Sequence, residues 1–186
     1  MGLYGQINTP MSPQDTMQRD MISLSPADGQ ALRRAFGRFG TGVTIVTTQT
    51  AEGPLGMTAN SFSSVSLDPP LVLWSAALRS MRHDAFVQAD TYCIHVLGED
   101  QQDLALHFAT QGHDFSRFDW EEGPDGAPQL KGCLAAFHCT PFAIHPAGDH
   151  SMIVGEVKHA AQCPGSGAGL LFDQGRFGTF KPQDDA

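Results

Sequence analysis

Apolar and polar residues alternate in short blocks along most of this chain, and the block lengths predict strands more often than helices. Phe39-Gly40-Thr41-Gly42-Val43-Thr44-Ile45-Val46-Thr47-Thr48 is a β-branched run, which suits a pleated, half-buried surface. A Gly53-Pro54 turn follows it. Leu71-Val72-Leu73-Trp74 is continuously apolar, the pattern of a strand buried on both faces. Tyr92–Leu97, Leu134–Cys139 and Met152–Val157 read as further strands. Leu170-Leu171-Phe172 and Phe177–Phe180 are expected to close the sheet. Many short strands and few helices predict a barrel or sandwich.

Three stretches read as helices. Ser25-Pro26-Ala27-Asp28 is a helix start, with Ser25 as N-cap, Pro26 first in the helix and Asp28 in the first turn. Leu32, Ala35, Phe36 and Phe39 then share a face at helical spacing and are expected in the core. Ser80–Phe86, capped by Ser80, and Glu99–Ala109 are the other two. Residues 110–129 form a long loop bearing Gly, Asp and Pro, a length more often functional or mobile than idle.

Gly56–Pro70 breaks the alternation. Thr58, Asn60, Ser61, Ser63, Ser64 and Ser66 crowd into nine consecutive positions. Burying such groups without partners costs about 1–3 kcal/mol each. By composition alone this is a solvated edge strand. Lying in sequence between two apolar strands, it is instead expected inside the sheet, with its polar face lining a site.

Composition narrows the function. The chain has 186 residues, enough for one domain with a substantial core. Residues 1–23 have no period and read as a flexible tail, 24–182 as one domain, and 183–186 as a short C-terminal tail. Eleven basic against twenty acidic residues give a net charge of −9 with no Lys/Arg cluster, which argues against nucleic-acid binding. No apolar run approaches the roughly 20 residues of a membrane span. Pro10, Ser12, Pro13, Gln14 and Asp15 interrupt any leader-like apolar stretch, so a cytoplasmic protein is expected. The four cysteines form no Cys-x-x-Cys pair and are expected as free thiols, with Cys93 and Cys133 in the core. Among the histidines, His138 adjoins Cys139, and neighbours in a strand face opposite ways. His145, His150 and His159 lack ligand spacing with a carboxylate, so no metal is expected. Gly37–Gly42 is not the Gly-x-Gly-x-x-Gly dinucleotide fingerprint and leads into a strand.

Four blocks in order carry a family resemblance: Phe39–Thr48, Gly56–Leu73, Gly148-Asp149-His150 and Val154-Gly155-Glu156-Val157. Over about residues 32–177 the chain resembles the flavin reductase-like family, the NAD(P)H:flavin oxidoreductases that supply reduced flavin to two-component monooxygenases. The resemblance implies a mainly β fold, an FMN-binding split β-barrel with a few short flanking helices, working as a homodimer. It implies FMN or FAD as flavin, NADH or NADPH as hydride donor, and a separate oxygenase as partner, without nucleic acid or membrane.

Carried over by motif, Thr58, Ala59, Asn60 and Ser61 would bond the flavin ring edge and ribityl chain. Ser75, Ala76, Ser80 and Arg82 would form its phosphate end. Phe108, the Arg117-Phe118 pair, Phe172 and Arg176 would lie near the cofactor. His150 would lie over the flavin and position the nicotinamide, the one catalytic assignment. The family commonly has aromatic residues before its Gly-Arg-Phe/Tyr motif, whereas this chain has Phe172-Asp173-Gln174-Gly175-Arg176-Phe177. Asp173 there disfavours a 2′-phosphate and so favours NADH. Two rival readings share the fold: a reductase that keeps its flavin and reduces ferric or corrinoid cobalt centres, and a non-enzymatic flavin-binding module.

Overall fold

The computed structural model describes residues 21–165 and 167–181. Most of the expected N-terminal tail and all of the C-terminal one lie outside them. The chain divides into two units between Phe36 and Gly37. In the first, α1 (Gly29–Phe36) is the helical element. Its N-cap is Asp28, whose Oδ1 accepts from the Gln30 and Ala31 amides at 3.1 and 2.9 Å. Ser25 instead anchors the preceding turn, its carbonyl accepting from Asp28 N at 3.0 Å. A carboxylate is the stronger acceptor for unpaired helix amides, so the helix starts three residues later than expected. The apolar stripe is not core: Phe36 and Phe39 are 71% and 78% exposed.

The second unit is mainly β. In chain order it runs β1 (Thr41–Gly42), β2 (Thr44–Thr50), β3 (Gly53–Ala59), β4 (Ser63–Leu67), β5 (Pro70–Ala77), α2 (His83–Val87), β6 (Tyr92–Val96), α3 (Gln102–Thr110), β7 (Trp120–Glu122), β8 (Pro128–Leu130), β9 (Ala135–Ala147), β10 (His150–Gln162), β11 (Leu170–Asp173) and β12 (Arg176–Thr179). Seven strands make one antiparallel sheet in the order β3-β2-β6-β9-β10-β5-β4. The polar segment is therefore not inside the sheet. It breaks at Asn60-Ser61-Phe62 into β3 and β4, which are the two opposite edges.

That order forces curvature. Seven flat strands would separate the edges by about 29 Å. Ala59 and Ser63 are joined by a link that reaches at most about 14 Å. The sheet must roll up until its edges approach, although no β3–β4 ladder closes it among the described residues. The rolled interior gathers Val46, Leu55, Met57, Val72, Trp74, Phe86, Tyr92, Ile94 and Ile153. Trp74 meets Phe86 and Tyr92 edge-on, at 5.3 and 6.1 Å between centroids. Along β5 burial alternates, with Val72, Trp74 and Ala76 inside and Leu73, Ser75 and Ala77 on the outer face. The continuous apolar run thus behaves as a one-sided strand.

A second core lies outside the roll, where α3 covers β2. Val43, Ile45, Leu104, Ala105, Phe108 and Phe115 are buried there. The long loop contains the hairpin β7–β8. The C-terminal strands do not close the main sheet; β11 and β12 join β1 in a separate three-stranded sheet. The cysteines are free thiols: Cys93 and Cys139 are buried, Cys133 is half-buried and Cys163 exposed. Among the described residues no helix is long and apolar enough to cross a membrane.

Candidate active site

The outer face of β5 and β10 brings together four of the expected residues. Ser75 pairs with Met152, and His150 with Ala77, two positions along the same face. The link between the sheet edges is tied to that face at Ser61. Its Oγ accepts from Ser75 N at 2.9 Å and lies 3.4 Å from Ser75 O. Asn60 projects into solvent beside it. The amides of Asn60, Ser61 and Phe62 make no backbone hydrogen bond outside the ladders among the described residues. This corner therefore presents main-chain donors, a carboxamide and hydroxyls on a surface walled by sheet.

His150 begins β10, after a tight turn in which Gly148 takes φ 66°. Its Nδ1 stands 2.7 Å from Asp149 Oδ1, which fixes Nδ1 as the proton-bearing nitrogen and leaves Nε2 free. Hydrogen bonding from His150, with its charge and that of Arg79, holds the Asp149 carboxyl below the usual carboxylate range. Asp149 also binds the chain end of β5, its carbonyl accepting from Leu78 N at 2.9 Å. On the inner side, His83 bridges Asp84 Oδ1 at 2.7 Å and Ser151 Oγ at 2.9 Å. The residue next to His150 is thus tied to α2. Asp149, Arg79 and His83 were not singled out from sequence. Only the adjacency of Asp149 to His150 offered a signal.

Other expected residues are used differently. Thr58 Oγ1 donates to Ala105 O at 2.6 Å and faces α3. Ala59 packs partly against the interior core. Ala76 is wholly buried, because its position on β5 faces the interior, so its side chain has no surface for a ligand. Phe108 is also wholly buried. Its ring lies over Gly56, where an added Cβ would come within 2.6 Å of Phe108 Cδ1, and packs against Phe115 at 4.8 Å. It joins α3 to β3 and cannot meet a flat ligand. Arg117 sits over the Phe118 ring at 5.8 Å.

The expected phosphate end also differs. Arg82 donates to the carbonyls of Gly56, Phe108 and Ala109 at 2.9, 2.7 and 2.8 Å. The unpaired carbonyls ending α3 carry partial negative charge and draw the guanidinium. Burial lowers its pKa. Ser80 does not cap α2; its Oγ accepts from Arg82 N at 3.2 Å, and α2 starts at His83 without a side-chain cap. Both residues hold the fold, and Arg79 is an exposed cation whose charge acts on Asp149. Phe172 packs against Phe177 with the rings tilted by 60° and their centroids 5.2 Å apart. With the exposed Arg176 it belongs to the three-stranded sheet and not to the His150 face.

The model of the flavin reductase-like domain matches residues 36–181 of this chain. A protein of Agrobacterium fabrum named FMN reductase (NADH) SmoA is 51% identical over 156 residues, 84% of this chain and 88% of the relative. The solved structure of Streptomyces globisporus NADH:FAD oxidoreductase SgcE6, in complex with NAD and FAD fragments, superposes with a TM-score of 0.83. It is 41% identical, covering 89% of this chain and 100% of that one. The Mycobacterium tuberculosis protein named flavin-dependent monooxygenase, reductase subunit HsaB is 33% identical over 158 residues, 84% of each chain.

Proposed function

The chain belongs to the flavin reductase-like domain family, and on that premise we propose that it transfers hydride from NADH to FMN or FAD and releases the reduced flavin to a separate monooxygenase. The observation that carries this reading is the convergence of the Asn60–Phe62 link, Ser75 and His150 on one outer face of the sheet. The donor set fits a flavin. Its ring edge offers carbonyl and ring-nitrogen acceptors, and the link offers free amides and the Asn60 carboxamide beside them. Flavin, when bound, supplies the two-electron acceptor.

The protein's own part is binding and alignment. Amides at the link hold the ring edge and favour negative charge there. His150 Nε2, free because Nδ1 is held by Asp149, is the group available to the nicotinamide carboxamide. The Leu78–Asp149 and His83–Ser151 bonds hold the His150 turn against β5, so the ring is preset before substrate arrives. Placing the nicotinamide C4 donor and the flavin N5 acceptor at near-attack distance supplies much of the acceleration in such a transfer, and no side chain need exchange a proton.

The same reading includes a rolled split barrel, a cytoplasmic location and a homodimer. In support of the dimer, β9 pairs with β6 only over Ala135–Cys139. Its second half carries Phe142 and Ile144, 57% and 37% exposed, and has β10 as its one strand neighbour among the described residues, and a second copy of the chain is the proposed cover. The reaction is tested by NADH oxidation with FMN, FAD or riboflavin beside the flavin content of the purified protein. Flavin-dependent turnover is expected; none with any of the three flavins would overturn the reading.

A further inference from the structure

The segment expected to hold a flavin's 5′-phosphate has its donors bonded within the protein. Residues 78–82 link β5 to α2. Leu78 N donates to Asp149 O at 2.9 Å, Ser80 N to Ala77 O at 3.0 Å and Arg82 N to Ser80 Oγ at 3.2 Å. His83 N, the first amide of α2, donates to Ser80 O at 3.0 Å. The Ser80 hydroxyl itself points to Met57 Sδ at 3.8 Å. Amides bonded in this alternating way leave no run of adjacent free donors, the arrangement that cradles a phosphate. α2 is five residues long and has no side-chain cap, too short to gather much of a helix dipole at its start.

Arg82 is held more firmly still. Besides its bonds to the carbonyls of Gly56, Phe108 and Ala109, its stem lies against Gly112, where an added Cβ would come within 2.8 Å of Arg82 Cδ. Gly56 N donates to Gly112 O at 2.8 Å, so the guanidinium is threaded between β3 and the residues that follow α3. Turning it toward a ligand would leave three carbonyls without their donor. The exposed charge that remains has the wrong sign. The side chains of Asp84 and Asp149 are 84% and 93% exposed, against Arg79 as the exposed cation of the segment. A phosphate monoester would add nearly two more negative charges. The donors still free are those of the Asn60–Phe62 link, the Asn60 carboxamide and the Ser75 hydroxyl, on or beside the outer face. They suit a ring edge and ribityl hydroxyls, which riboflavin, FMN and FAD share.

We propose that the site reads a flavin by its ring and ribityl chain and leaves the 5′ end in solvent, so that riboflavin serves as hydride acceptor as well as FMN or FAD does. The proposal rests on the hydride-transfer reading above and names the acceptor class for it. NADH oxidation is followed with each flavin varied in turn. The kcat/KM values for FMN and FAD should lie within about fivefold of that for riboflavin, whereas a guanidinium on the phosphate would separate them by about tenfold or more. Raising salt from about 0.05 to about 0.5 M should leave the FMN-to-riboflavin ratio unchanged or raise it, because screening weakens repulsion from Asp84 and Asp149. Arg79→Ala and Arg82→Lys should each keep that ratio within about twofold. Arg82→Lys should also lower the urea midpoint, but a ratio does not depend on how much of the protein is folded. FMN or FAD exceeding riboflavin by more than about fivefold would overturn the proposal. So would a ratio that falls with salt, or a larger selective loss with FMN in either variant. If the wild type oxidises NADH with none of the three, the hydride-transfer reading fails. Fluorescence titration then decides for the site alone. Dissociation constants for the three flavins within about fivefold of one another support it; tighter FMN or FAD, or no saturable binding, removes it.

Discussion

At the scale of single residues, what matters is which polar atoms the fold has already spent. Thr58, Ser80 and Arg82 are the right chemical types for a flavin site, yet their polar atoms bond α3 carbonyls, β3 or a neighbouring turn. A motif transfers residue types, whereas hydrogen-bond partners depend on contacts distant in sequence. Asn60 and His150 keep free polar atoms on the shared face and are the strongest candidates. Asn60→Ala removes a carboxamide without touching the core, so flavin affinity should fall by about 1–2 kcal/mol, roughly 5- to 30-fold. Fluorescence titration measures it, and an unchanged dissociation constant would exclude Asn60 from the site. His150→Ala should leave flavin binding nearly intact while slowing hydride transfer or raising the KM for NADH, a loss of about 1–3 kcal/mol. Anaerobic stopped-flow reduction separates the two effects. Weakened flavin binding with normal transfer would move His150 to the flavin side.

At the scale of elements, the strands were legible and their neighbours were not. The density of hydroxyls from Thr58 to Ser66 sets the segment apart from its neighbours, but nothing local states that β3 and β4 are opposite edges. That follows from the sheet order. The strands β9 and β10 run 13 residues each, twice the length their apolar cores suggested, because they form one long hairpin whose first arm also pairs with β6 over Ala135–Cys139 and whose second also pairs with β5 over His150–Glu156. Gly155 shows how such an arm constrains sequence. It sits at a register shift between β9 and β10, and any Cβ there would collide with the Tyr92 hydroxyl and come within 3.2 Å of Cys139 Cβ. Tyr92 is fully buried beside Trp74 and has no room to retreat. Gly155→Ala should therefore cost about 2–3 kcal/mol, read as a lowered urea midpoint at unchanged slope. A loss under about 0.5 kcal/mol would show that the core yields freely there.

At the scale of the molecule, two properties depend on the whole fold. The proposed dimer should appear in sedimentation velocity at working concentrations, and Phe142→Asp should shift it toward monomer; a fully active wild-type monomer would refute it. The second property is stability against pH, set by a histidine the flavin site does not use. His95 is entirely buried between β2 and β9, its Nδ1–H donating to Ile45 O at 3.1 Å and its Nε2 accepting from Leu130 N at 3.0 Å. Both bonds specify the neutral ring. Burial drives its pKa down to about 4, against the opposing effect of the Ile45 carbonyl. In the unfolded chain the ring takes a proton near 6.5. Below that pH the unfolded state binds a proton that the native state refuses, so stability is full above about 6.5 and declines as pH falls toward about 4. Between pH 6.5 and 5 the loss should be about 2 kcal/mol, before most carboxylates begin to titrate. Burial of His138 acts in the same direction. Urea unfolding at pH 7, 6 and 5 measures the slope. His95→Gln keeps a donor and an acceptor but has no titrating group, so it should flatten that slope even if it lowers the baseline. An equal slope in the variant, or stability that rises toward pH 5, would show that the ring is protonated in the native state and that its bond to Leu130 is not made as described.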